Sequence, residues 1–154
     1  LNGNYQLGDV IFVRGHSWIS KLISLFDGEF SHVCFAVSDT HIIESQRFVK
    51  SRITKLKYDD YEIFRMNLSN KQCEILKSAI IHCGVNYDYK QLIVIGLRKI
   101  LGSIIPRYNS KNKYICSELV ELILTNVGEI PINESIGEKS PNELFYYLKN
   151  RTLR

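Results

Sequence analysis

Cys116 stands in the stretch Lys113-Tyr114-Ile115-Cys116-Ser117-Glu118-Leu119-Val120. Ile115, Leu119, Leu122 and Ile123 recur at i, i+4, i+7 and i+8, the stripe of an amphipathic helix, and put the cysteine at its first turn. A helix N-terminus offers unpaired N–H groups and the positive end of the macrodipole, which favour thiolate over thiol. A thiolate attacks carbonyl carbon, so the chemistry on offer is acyl transfer, given a base. By position alone a lone cysteine on such a helix also reads as a small buried hydrophobe.

Four histidines are candidates for the base: His16, His32, His41 and His82. His82 ends a helix beside Gly84 and reads as a C-terminal cap contact. His16 lies in a loop, and His41 opens a strand after a turn. His32 is the exception, near the start of the otherwise apolar strand Phe30 to Val37. Period two puts His32, Cys34 and Ala36 on one face and Val33, Phe35 and Val37 on the other. Two small residues beside a histidine leave room for a reacting group.

A carboxylate on the imidazole fixes its tautomer and stabilises the imidazolium. Glu44, in His41-Ile42-Ile43-Glu44-Ser45, is placed to do this if Ser38-Asp39-Thr40 forms a three-residue turn. Val37 then pairs with His41, Cys34 with Glu44, and His32 with Gln46, so that Glu44 lies one diagonal step from His32. A two-residue turn flips Glu44 to the opposite face. Gln46, directly across from His32, is the alternative orienting group.

These residues need a scaffold. Val10 to Val13, Phe30 to Val37, His41 to Gln46 and Tyr61 to Asn67 read as strands. Ser17 to Phe26 reads as a helix, capped by Ser17 and stopped at Asp27-Gly28. Further helices are expected from a Ser69 cap to about His82, and from Tyr89 to about Leu101, the latter packed on more than one side. Another runs from about Asn112 to Asn126, closed by Gly128, and the last from Ser140-Pro141 through Leu148. Strands gathered early and helices late argue an α+β fold, an antiparallel β-sheet packed against helices with the nucleophile cysteine on a late helix.

The chain has 154 residues, 45% hydrophobic and 23% charged, which fits a single domain over 1–154. A formal charge of +4 allows anionic partners without naming one. No nucleic-acid recognition motif is present, and no apolar run is long enough to span a bilayer. Cys34, Cys73, Cys83 and Cys116 show neither metal-knuckle nor redox-pair spacing, so no metal or cofactor is expected. Reduced thiols and no basic-then-apolar leader read as cytoplasmic by default. A cell-wall or phage-associated setting stays open, and the sequence sets no oligomeric state.

The ordered set Gly8-Asp9-Val10-Ile11-Phe12, Ser31-His32-Val33, Ile43-Glu44-Ser45, Tyr87-Asp88-Tyr89, Tyr114-Ile115-Cys116-Ser117-Glu118-Leu119-Val120 and Ser140-Pro141 with Leu144 covers almost the whole chain. It resembles the circularly permuted papain-like hydrolases of the NlpC superfamily, the YaeF/YiiX-like group. Unpermuted relatives place the cysteine before the histidine; here the order is His, acid, Cys. The resemblance implies Cys116 as nucleophile, His32 as general base and acid, and Glu44 as orienting group. It sets the segment from Arg14 to Glu29 at the cleft, with Arg14, Trp18 and Tyr114 as substrate contacts, though core packing suits Trp18 better. Tyr87 and Asp88 read as structural. The implied activity is a cysteine peptidase or amidase acting on peptides, those of peptidoglycan leading. A lipid thioesterase or acyltransferase and a silent binding module are the alternatives.

Overall fold

A computed structural model describes residues 5–15, 28–101, 104, 106, 108, 113–135 and 137–152, the side chains of Ile100 and Thr152 excepted. The expected helix from Ser17 to Phe26, with Trp18, and the loop histidine His16 lie outside the described residues.

Strands β1 (Val10–Val13), β2 (His32–Ala36), β3 (His41–Glu44), β4 (Arg52–Lys55) and β5 (Tyr61–Phe64) form one antiparallel sheet in the order β4-β3-β2-β1-β5. Helices α1 (Gln72–Ile81), α2 (Tyr89–Leu101), α3 (Cys116–Asn126) and α4 (Pro141–Thr152) follow. A two-residue parallel ladder of β6 (Asn86–Tyr87) and β7 (Lys113–Tyr114) lies between them. Strands early and helices late, around one sheet, make this an α+β architecture.

Period-two alternation divides the sheet into two faces. Val10, Phe12, Val33, Phe35 and Ile43 pack against Leu119, Val120, Ile123 and Leu124 of α3, with Ile75 of α1 and Leu144 of α4. Ile11, Val13, Cys34, Ala36 and Ile42 form the other face, covered by Tyr5, Leu56 and Tyr58. Leu119 and Ile123 are fully buried, each worth about 1.5–3 kcal/mol by the usual transfer scale. Val120 and Leu124 are buried as completely, while Leu122 is half-buried, so α3 is enclosed more widely than a single stripe requires. A three-ring cluster of Phe12, Phe30 and Phe145, with centroids 4.8 to 5.4 Å apart, ties β1 to α4.

Two local devices hold the segment that leads into β2. Ser140 and Glu143 form a reciprocal capping box at the start of α4, the Ser140 N–H donating to Glu143 over 2.8 Å and the Glu143 N–H to Ser140 Oγ over 3.2 Å. Within that first turn, the buried Asn142 amide accepts from the Phe30 N–H at 3.0 Å and donates to the Phe30 carbonyl at 2.7 Å. Both backbone groups of Phe30 are thereby satisfied away from water.

Four expectations change. Strand β4 was not anticipated; short and half-exposed, it carries alternation too weak to stand out. Ser69 does not cap a helix: it opens a 3-10 turn (Ser69–Lys71) that runs into α1 without a side-chain cap. The cysteine helix begins at Cys116 rather than near Asn112, because Lys113 and Tyr114 are taken up by β7. And α2 is not packed on several sides: Tyr89, Ile93, Leu97 and Leu101 are 40 to 60% exposed.

Candidate active site

The turn at residues 38–40 sets the geometry. Val37 N–H donates to the His41 carbonyl over 2.9 Å, and Phe35 pairs with Ile43 and Ala36 with Ile42. This is the three-residue register, which puts Glu44 on the His32 face. His32 Nε2 lies 3.3 Å from Glu44 Oε2.

Glu44 is almost wholly buried and is held from three sides. Arg52, its direct cross-strand partner, donates to Oε1 through Nε (3.2 Å) and a terminal nitrogen (2.9 Å). The Tyr58 hydroxyl donates to Oε2 over 2.6 Å. Burial alone would raise the carboxyl; the donors from His32, Tyr58 and Arg52 outweigh it and hold the group down at about 2. An ionised carboxylate only accepts, so Nε2 of His32 carries the proton that faces it. That leaves Nδ1 as the nitrogen able to exchange a proton with a nucleophile.

Cys116 meets His32 through a break in the sheet. The β2–β3 ladder closes at Phe35–Ile43 and Ala36–Ile42 and does not continue to the His32 end. By the parity of the ladder, Val33 N–H faces β3 there, where the Ser45 carbonyl would meet it. Instead Ser45 turns away, its Oγ donating to the Tyr114 carbonyl over 2.9 Å. The Cys116 sulfur lies near enough to the Val33 and Ser117 N–H groups and to His32 for all three to favour its thiolate. A cysteine on a helix packed against one face thus reaches a histidine rooted on the other.

The electrostatics follow from these contacts. Burial pushes the Cys116 thiol up, but the hydrogen bond and charge of His32 and the two backbone N–H groups bring it below the ordinary thiol value. Burial likewise opposes the charged form of His32, yet Cys116 and Glu44 lift it to about 9. Both shifts favour thiolate and imidazolium over thiol and neutral imidazole. Cys34, on the same face as His32, is the contrast: buried, with its thiol donating to the Ile11 carbonyl at 3.7 Å, it is pushed well above the ordinary value.

The other sequence-derived candidates are placed elsewhere. Gln46 Oε1 receives a 3.5 Å contact from Arg52, and the group on the His32 ring is Glu44. Arg14 is engaged by carboxylates, donating to Glu29 (3.0 Å), Glu62 (2.6 Å) and Asp60 (3.5 Å), with its guanidinium over the Phe30 ring. Tyr114 sets its hydroxyl 3.1 Å from His82 Nδ1 and lends its carbonyl to Ser45 and Asp88. Asp88 caps α2 by accepting from the Gln91 N–H at 3.0 Å, a structural task. Arg52 and Tyr58 are the residues that sequence reasoning missed. Arg52 was legible only through the strand it belongs to; Tyr58 lies outside the strands, and nothing in its spacing marks it.

Among the described residues no cluster of three or more His, Cys, Asp or Glu side chains is arranged to hold a metal ion. No family model matches the chain, and no curated protein matches it as a relative.

Proposed function

We propose that this chain is a cysteine hydrolase of the permuted papain-like kind, with Cys116 as nucleophile, His32 as general base and acid, and Glu44 as the orienting carboxylate. The observation that carries the reading is the buried chain of contacts from the Cys116 sulfur to His32 to Glu44, with Nε2 of His32 3.3 Å from the carboxylate. A buried thiol drawn below its ordinary value by an imidazolium has no structural need to be so; a nucleophile does.

The cycle runs as follows. Cys116 thiolate attacks the substrate carbonyl carbon, forming a C–S bond and an oxyanion, whose stabilisation we assign to backbone N–H groups at the start of α3. The oxyanion collapses, the C–N bond breaks, and His32 gives its proton to the leaving amine. A water then adds to the thioester with His32 taking its proton; the C–S bond breaks, releasing the acid and restoring the thiolate. Glu44 stays ionised throughout and keeps the imidazole oriented.

The substrate we propose first is an amide in a peptide, with cell-wall peptides the leading class. One observation favours a second reading, an ester or thioester of a lipid acyl chain. The α2 helix, which starts immediately after Asp88, exposes an apolar stripe, and Tyr87 lies close enough for the Cys116 charge to help raise its hydroxyl well above the ordinary value. Incubating the purified protein separately with muropeptides, a phospholipid and an acyl thioester, with Cys116→Ala as control, tests both. Turnover or a trapped acyl group on Cys116, lost in Cys116→Ala and His32→Ala, is the expected result. Activity that survives Cys116→Ala overturns the mechanism.

A further inference from the structure

The longest helix among the described residues, α2, stays largely out of the core. In α2 the sequence Tyr89-Lys90-Gln91-Leu92-Ile93-Val94-Ile95-Gly96-Leu97 begins a 13-residue helix whose first nine residues include five large aliphatics. Gln91 is nonetheless its only fully buried side chain among those described. Tyr89, Ile93, Leu97 and Leu101 follow one another at i, i+4, i+8 and i+12, so they form one line along the helix, each 40% exposed or more. A contiguous exposed line of this kind marks a contact surface, whereas scattered exposed apolar side chains do not.

Phe48 extends the line. It is 88% exposed, and its backbone is held at φ 66°, a left-handed conformation that is strained for a bulky residue. The Tyr89 hydroxyl accepts from the Phe48 N–H over 2.7 Å, and the two rings lie 5.9 Å apart. Strain spent on presenting an aromatic ring to solvent is unfavourable unless the ring has something to enter.

Charge identifies what that is. Residues 45–58, around Phe48, and residues 89–101 of α2 together carry eight of the chain's 20 Lys and Arg and none of its 16 Asp and Glu. Arg52, Arg98 and Lys99 pair with Glu44, Glu138 and Glu143, so the excess charge next to the rings is that of Arg47, Lys50 and Lys90, which flank Phe48 and Tyr89 in the sequence. An apolar line whose aromatic end is flanked by cations fits the boundary between anionic headgroups and acyl chains. We infer that Phe48 and the Tyr89–Leu101 line form a docking surface for an anionic lipid bilayer. No helix among the described residues is long and apolar enough to cross a membrane, so the contact is peripheral. The inference does not rest on the catalytic reading: a protein without a working thiol would still dock.

The test is co-sedimentation of the whole protein, carrying Cys116→Ser to exclude turnover, with vesicles of phosphatidylcholine alone or mixed with phosphatidylglycerol. Binding to the mixed vesicles at least tenfold stronger than to phosphatidylcholine, and weakened by salt, is expected. Ile93→Glu with Leu97→Glu, both at exposed positions, should abolish it. Phe48→Gly removes the ring and the strain together, so binding should fall while the melting temperature holds or rises. Equal binding to both vesicle types, or no loss in either variant, overturns the inference. So does a dimer in sedimentation equilibrium that the Ile93→Glu, Leu97→Glu variant dissociates, since a second copy would then be the occupant.

Discussion

Ser45 Oγ donates to the Tyr114 carbonyl over 2.9 Å, joining the end of β3 to the residue two places before the candidate nucleophile. The bond does two things at once. It ties down Ser45 just past the last β3 residue, where the β2–β3 ladder has stopped, and it holds the backbone just ahead of α3. One contact thus joins the strand end that carries Glu44 to the segment that delivers the Cys116 sulfur.

Ser45→Ala tests that coupling. Losing one neutral hydrogen bond should cost about 1 kcal/mol of stability in urea unfolding. If the bond also positions Cys116, the rate of alkylation at that thiol should fall by about tenfold or more, since small misplacements of reacting groups are expensive. A stability loss with an unchanged alkylation rate would show that the contact is structural only.

The thiols themselves should sort by environment. At about pH 6, iodoacetamide should modify Cys116 in preference to Cys73, which is exposed, and to Cys34, which is buried and pushed up. In His32→Ala the Cys116 profile should move up into or above the ordinary thiol range, because burial is then the larger remaining influence. Peptide mass mapping of the modified protein gives the order. Labelling of Cys73 ahead of Cys116 at that pH would count decisively against an activated thiol.

Stability should depend on pH with two signs. His32 is raised from 6.5 to about 9, so its contribution is complete below about pH 6.5 and is lost as pH rises through 9. Glu44 is lowered from 4.5 to about 2, so its contribution is complete above about pH 4.5 and is lost as pH falls through 2. Between those limits stability should be highest, and activity should share the alkaline limit because His32 then no longer holds the proton needed by the leaving group. Melting temperatures across the range, compared with those of His32→Gln, check both limbs; an alkaline limb that persists in His32→Gln would belong to another group.

Much of this site was legible in sequence because its parts are local. A three-residue turn between two apolar strands dictates which face Glu44 takes, and period two does the rest for His32. Cys116 at a helix start follows from the stripe Ile115, Leu119 and Ile123. What could not be read was non-local. The partners that keep Glu44 ionised come from a weakly patterned strand (Arg52) and from outside the strands (Tyr58), and a carboxylate's need for donors does not say which residues supply them. The exposure of α2 was misread for a related reason. Hydrophobicity on a helix signals burial against something, and the pattern cannot say whether that something belongs to the chain.

Tyr58 and Arg52 give the last prediction, because they separate positioning from charge. Tyr58→Phe removes the 2.6 Å hydrogen bond to Glu44 Oε2 but leaves Arg52 on Oε1 and His32 on Oε2. A bond to a charged acceptor is worth about 1.5–3 kcal/mol, so the variant should be measurably less stable. Its acid limb should begin at a higher pH, since a carboxylate with fewer donors protonates sooner. Glu44→Gln should do more. It removes the charge that lifts His32 and leaves Arg52 facing a neutral amide, so His32 should lose its proton at lower pH and turnover should fall by about 10²–10⁴-fold. Arg52→Met should fall between the two, with the imidazole still oriented but the carboxylate less firmly ionised. Titration of His32 by NMR in the three variants supplies the order. If Glu44→Gln left the His32 midpoint near 9, Glu44 would not be the group that sets the base.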